Sequence, residues 1–169
     1  MIAAGLCACQ NMPESYAPPV QRPIFEEYHP EFVNIVNMGD VDAPTRFVQD
    51  ISPLAEGAEH SWRWCKQRPT VKIRVKATAN LKYTVDLAVP DVTFRDTGPV
   101  TISFYVNQHL LDRAQYTAAG QYHFEKAVPP DWIAPREDIL LAASIDKVWV
   151  SKKGDEREGF ILTRIGLKP

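Results

Sequence analysis

Thr70-Val71-Lys72-Ile73-Arg74-Val75-Lys76 and, after a turn at Thr78-Ala79-Asn80, Tyr83-Thr84-Val85-Asp86-Leu87-Ala88-Val89 set the fold class of this chain. Apolar side chains fall on every second residue, so in an extended backbone they share one face while the polar residues between them share the other. The same alternation returns at Val100, Ile102, Phe104 and Val106, then at Tyr122 and Phe124. Ile139, Leu141, Ala143 and Ile145 carry it further, and Ile161, Thr163, Ile165 and Leu167 close the chain. Turn-forming residues separate the runs: Asp96-Thr97-Gly98, Asn107-Gln108, Gly120, Pro129-Pro130 and Gly154-Asp155. Half-buried strands at this spacing predict an all-β, antiparallel two-sheet β-sandwich. No run of ten residues keeps a 3.6-residue period, so helix is confined to short turns, with residues 51–60 and 131–138 the expected places.

A chain of 169 residues is long enough for one domain with its own core. The formal net charge of −2 and the scattered cations argue against a nucleic-acid-binding surface. No apolar stretch reaches the roughly 18 residues that a membrane-spanning helix requires. The domain is expected over residues 31–169. Residues 10–30, with Pro13, Pro18, Pro19, Pro23 and Pro30, read as an extended tether, because proline this dense holds neither a helix nor a central strand.

Ahead of the tether, Leu6-Cys7-Ala8-Cys9 resembles the bacterial lipobox, in which Leu, two small residues and a Cys close a signal peptide. The resemblance makes residues 1–9 a signal segment and Cys9 the lipidated residue. It implies a lipid anchor in a bacterial cell envelope, with a soluble chain as the alternative. A full signal peptide carries a positive leading region, which these nine residues lack, so either its start lies upstream of Met1 or the match is accidental.

A second resemblance lies in the body. Leu54-Ala55-Glu56-Gly57-Ala58-Glu59-His60-Ser61-Trp62-Arg63-Trp64 is similar to the opening of small jelly-roll domains that accompany bacterial glycosyltransferases and some envelope proteins. Gly120-Gln121-Tyr122-His123-Phe124 resembles their Gly-x-Tyr-x-aromatic strand. Asp146-Lys147-Val148-Trp149, Gly154 to Gly159 and the strand through Ile165-Gly166-Leu167 resemble their ending. Cys65 departs from the pattern, which has Thr or Ser there. The resemblance implies a galactose-binding-like fold, and many folds of that kind hold sugars.

Sugar-binding sandwiches set an aromatic ring under the apolar face of a pyranose and flank it with polar groups. Trp132, in the loop after Pro129-Pro130-Asp131, is the expected exposed platform, with Trp149 and Asp155 as further ligand-binding candidates. Trp62 and Trp64 share one strand face and are expected in the core, while Arg63 points the other way. Glu56 with Arg63, and Asp155 with Arg157, are expected to be structural ion pairs. Cys65 alternates onto the Arg63 face as an inert buried thiol.

Enzymatic readings find no support in the sequence. His29, His60, His109 and His123 lack metal-ligand spacing, and neither a G-x-S-x-G elbow nor a glycine-rich phosphate loop is present. The expectation is a non-catalytic domain with no cofactor or metal, whose partner is a glycan. The alternative is a structural or protein-interaction module whose partner is an envelope protein.

Overall fold

The computed structural model describes residues 31–54, 56, 61–77, 79–152 and 156–169. The signal segment with Cys9, the tether, and Asp155 lie outside the described residues. The strands run in the order β1 (Ile35–Asn37), β2 (Phe47–Ile51), β3 (Arg63–Arg74), β4 (Lys82–Val89), β5 (Val100–Val106), β6 (His109–Tyr116), β7 (Gly120–Ala127), β8 (Asp138–Ile145), β9 (Trp149–Val150), β10 (Arg157–Glu158) and β11 (Phe160–Lys168).

Every pairing is antiparallel. The hydrogen-bonded path is β6-β5-β8-β3-β11-β4-β7, with β1 added to β11 and β2 to β3, while β9 and β10 form a small separate ribbon. Strand β3 is 12 residues long and serves two layers. Its C-terminal half pairs with β8 (Val71↔Leu141, Ile73↔Ile139), and its N-terminal half pairs with β11 (Cys65↔Phe160, Arg63↔Leu162). The first layer is therefore β6-β5-β8-β3 and the second β3-β11-β4-β7, folded face to face. Contacts between them confirm the sandwich. The Phe104 ring of β5 stacks on Phe124 of β7 at 3.8 Å between centroids, and the Tyr83 hydroxyl of β4 donates to the Ala142 carbonyl of β8 at 3.1 Å.

The alternating residues of β4, β5 and β8 and the second half of β3 face this core, as their period predicts. The last strand departs from its pattern. Phe160 and Leu162 are fully buried, Thr163 is exposed, and burial resumes at Ile165 and Leu167. A β-bulge between Leu162 and Arg164 inserts one residue and exchanges the faces, so the first half of β11 is one residue out of the phase read from the sequence.

Helix falls only partly where expected: a short turn reaches into 131–138, residues 55 and 57–60 of the other stretch lie outside the described residues, and the rest lies elsewhere. An α-helix, α1, spans Asp91–Thr97, started by Pro90 and stopped by Gly98 at φ 66°. Short 3₁₀ turns occupy Ala43–Arg46 and Pro130–Trp132. Within 51–60 the described residues hold the end of β2, a bend, and Glu56 bridged to Trp62.

Two glycines mark places where strands crowd. A Cβ on Gly166 would lie 2.6 Å from the Ile35 Cα, with the Asn34 carbonyl oxygen nearer still. A Cβ on Gly159 would lie 2.5 Å from the Lys66 carbonyl oxygen. Only glycine lets β1 and β3 approach β11 and its lead-in this closely.

Candidate functional site

The parity of β3 places its aromatic residues. Arg63 and Cys65 are buried, whereas Trp62 and Trp64 sit half-exposed on the outer face of the second layer. This corrects the expectation that the two tryptophans belong to the core. The inward positions are taken instead by Cys65 and by an arginine whose charge is satisfied on the inside.

That arginine donates from Nε to the Met38 carbonyl at 2.8 Å and from one Nη to the carbonyls of Ser52 and Pro53, with its guanidinium 5.1 Å from the centre of the Phe47 ring. The expected partner, Glu56, is exposed and takes no part. Three main-chain carbonyls replace the carboxylate because the guanidinium turns inward, while Glu56 stays on the surface bridged to Trp62. Burial lowers the Arg63 pKa and raises that of the Cys65 thiol well above its usual range. Cys65 is thus held as an uncharged core group.

On the outer face, register places residues in rows across the strands. Gln121 of β7, Ala88 of β4, Ile161 of β11 and Trp64 of β3 form one row. His123 and Asp86 lie in the next outer row, with Arg164 opposite Asp86. The Trp62 and Trp64 rings meet edge to face at 6.0 Å. Beside Trp64 a cleft of about 200 Å³ is lined by Asp50, Ile51, Ser52, Pro53, Lys66 and Glu158. Toward β7, a groove of about 450 Å³ lined by Asn37, Asp40, Ser61, Asp86, Thr163 and Arg164 runs into another of about 390 Å³. The second groove shares Asp86 and Thr163 and adds Gln121, Tyr122 and His123. At about 4.8 Å per strand, the face from β7 to β3 spans roughly 14 Å.

Charge is concentrated at the β7 end. Asp86 accepts Arg164 Nη2 at 2.6 Å and faces His123 Nδ1 at 2.5 Å. Glu125 is bonded by Lys168 and by Lys82 at 3.0 Å, which together hold its carboxyl down at about 2. At the Trp64 end the Glu158 carboxyl is pushed above its usual range by burial, and the carboxylates of Glu156 and Glu56 add to this against Lys66. Its Oε2 is buried without a hydrogen-bond partner among the described residues. The face therefore offers rings and a poorly solvated carboxyl at one end, and a fixed ionic lattice at the other.

The remaining sequence candidates lie apart from this face or at its border. Trp132 is half-buried with its ring stacked on His109 at 4.8 Å, so one side of the expected open platform is covered. Its carbonyl accepts from Asn107, whose side chain also accepts the Leu140 N–H and ties the β5–β6 hairpin to β8. Trp149 donates its indole N–H to Asp96 of α1 at 2.8 Å and pairs in register with Glu158. Arg157 is exposed with no ion-pair partner among the described residues, and Asp155 lies outside them. Among the described residues no group of three His, Cys, Asp or Glu side chains is placed to hold a metal.

Sequence reasoning missed Asp50, Lys66, Asp86, His123, Glu158 and Arg164 as site residues. The register signal was available for Asp86 and His123, each an outward polar residue in an alternating strand. Arg164 follows the bulge, which the alternation could not show.

No protein-family model and no characterised protein matches the chain by sequence. Among solved structures, the chain is similar to part of a family GH115 4-O-methyl-α-glucuronidase, BtGH115A, with specificity for decorated arabinogalactans. The likeness has a TM-score of 0.52 at 13% identity and covers 91% of this chain. The chain spans 19% of the length of that enzyme. Dimeric latent PorU from Porphyromonas gingivalis is matched with a TM-score of 0.38 at 12% identity, over 80% of this chain and 13% of that one. The likeness to the glucuronidase is one of fold alone.

Proposed function

We propose that this chain is a non-catalytic carbohydrate-binding module, and that the outer face of the β3-β11-β4-β7 layer is where a glycan lies. The observation that carries this reading is the pair Trp62 and Trp64, half-exposed and side by side, in line with a polar groove crossing three further strands. A pyranose presents C–H groups on one face and hydroxyls at its edge. An indole ring packs against the former, and Asn, Asp, Arg and Gln side chains take up the latter. The roughly 14 Å of sheet accommodates a short oligosaccharide rather than a single sugar. The sandwich shared with the glucuronidase supports a carbohydrate-related setting.

The lipobox-like Leu6-Cys7-Ala8-Cys9 supports delivery to a bacterial envelope with Cys9 as the lipidated residue. No helix among the described residues is long and apolar enough to cross a membrane. Membrane attachment rests on Cys9 in this reading: Cys9→Ser releases the protein from the membrane fraction, and unchanged partitioning of that variant refutes the anchor.

Glycan-array screening of the full chain followed by titration calorimetry tests the main reading. Arabinogalactan fragments, decorated and bare, belong in the panel beside envelope polysaccharides. Binding of an oligosaccharide that Trp64→Ala and Trp62→Ala each weaken at least about tenfold, with a folded variant by circular dichroism, is the expected result. Absence of binding across the panel, or binding indifferent to both tryptophans, overturns it in favour of a protein-interaction module.

A further inference from the structure

We propose that the opposite face of the sandwich carries a second and independent binding site, for the carboxylate of an acidic sugar, with Arg68 as its anchor. A groove of about 550 Å³ crosses the outer side of β2, β3, β8 and β5. Its floor is Leu140 and Ala142, and its walls include Gln49, Arg68, Tyr105 and Gln108. A volume in this range is usual for small-ligand sites, and none of its lining residues is an acid.

The state of Arg68 distinguishes this groove from the rest of the surface. Its main chain is fixed on both sides. The N–H donates to the Asp50 carboxylate at 2.8 Å, and the carbonyl accepts from Gln49 Nε2 at 3.2 Å and from Thr70 Oγ1 at 3.1 Å. The guanidinium lies over the Tyr105 ring, 4.5 Å from its centroid. It has no hydrogen-bond or ion-pair partner among the described residues.

The other arginines of β3 are spent. Arg63 is bonded to three carbonyls, and Arg74 is bonded to Asp138 at 2.6 Å. Asp50, the acid that meets the Arg68 backbone, lines the cleft beside Trp64 instead. Lys72, the next cation along the outer face of β3, is 3.5 Å from Asp138. The groove thus holds a planar fork of N–H donors with no counter-ion among the described residues, beside a small apolar floor and two side-chain amides.

That combination selects the ligand. A guanidinium resting over an aromatic ring matches a carboxylate with two parallel hydrogen bonds, which a lysine ammonium cannot reproduce. Leu140 and Ala142 offer a low surface for the C–H face of a sugar ring, and Gln49 and Gln108 can each donate to and accept from hydroxyls. A uronic acid presents all three features at once.

Nitrogen-15 NMR of the full chain, titrated with sodium D-glucuronate, D-glucose or sodium acetate, tests the site. Glucuronate is expected to shift the side-chain amides of Gln49 and Gln108 and the Arg68 Nε–H. Glucose should leave them in place, and acetate should act at least about tenfold more weakly. Arg68→Gln abolishes the response and Arg68→Lys weakens it about tenfold or more. Val48→Trp, at a rim position 51% exposed, blocks the groove without touching Arg68 and covers the case in which the arginine variants do not fold. Trp64→Ala leaves the response unchanged, which separates this site from the tryptophan face. Four outcomes overturn the proposal: no shift with glucuronate, equal shifts with glucose, equal shifts with acetate, or shifts that persist in Val48→Trp.

Discussion

Trp62 and Trp64 meet edge to face, 6.0 Å between ring centroids at 85°, on the outside of a strand whose intervening residue is buried. Neither ring can turn inward, because the inward positions on either side of Trp64 hold the Arg63 guanidinium and the Cys65 thiol. The pair is a surface feature fixed by the core beneath it. Trp64→Ala is therefore expected to weaken binding of a cognate glycan by about 10- to 100-fold, or roughly 1.4–2.8 kcal/mol. Trp64→Phe should retain part of it. Calorimetric titration of the three proteins with one oligosaccharide checks this.

Arg63→Ala is expected to act on stability. It removes a buried cation and leaves the carbonyls of Met38, Ser52 and Pro53 without their donor. The loss should be about 3 kcal/mol or more, lowering the melting temperature by roughly 10 °C with or without ligand. Glu56→Ala, which removes a carboxylate that Arg63 does not use, should melt like the parent. A matched drop in both variants by scanning calorimetry would restore the ion pair expected from sequence.

Glu158 gives the protein a pH dependence whose sign follows from its raised pKa. An acid harder to ionise in the folded state supports folding fully below its unfolded pKa and loses that contribution as pH rises through the folded value. Glu158→Gln removes the ionisation. The variant should melt above the parent at neutral and mildly alkaline pH and converge with it below the ordinary glutamate range. Parallel melting curves of the two proteins across that interval would contradict the account.

Gly166→Ala should destabilise the domain by about 1–3 kcal/mol. The new methyl group meets main chain of β1, which cannot rotate out of the way as a side chain would. Urea denaturation of the variant gives the figure directly. Gly98→Ala meets no atom within 4 Å, and its penalty is one of left-handed backbone alone.

The layers of the sandwich were legible from residue order because each alternating strand repeats with period two, and β4, β5 and β8 bury the residues that period selects. Three things were not legible. The bulge at Thr163 adds one residue to β11 and looks like continuing alternation, since Ile161 and Leu167 are both apolar. Helix α1 is seven residues long, too short for a 3.6-residue period to emerge, although Pro90 and Gly98 bracket it. The tryptophans were misassigned because hydrophobicity alone favours a core for two indoles at i and i+2. The hydrogen bonds that let Arg63 take the inward side come from residues 10 to 25 positions away, which no local pattern reveals. Arg68 and Glu158 belong to the same class: the Arg68 guanidinium and the Glu158 Oε2 stand out because they have no hydrogen-bond partner among the described residues.

Strand β3 makes the two layers inseparable in another sense. A sandwich whose sheets touch only through side chains can lose one sheet while keeping the other. Here the same backbone hydrogen-bonds to β8 at one end and to β11 at the other, so freeing either layer strips amide protection from a strand the remaining layer needs. Exchange of the deepest amides with deuterated water should then show Val71 and Ile73 in one layer and Val85 and Leu87 in the other opening with a common free energy, equal to that of global unfolding. A glycan seated on the second layer would slow exchange in the first by the same factor.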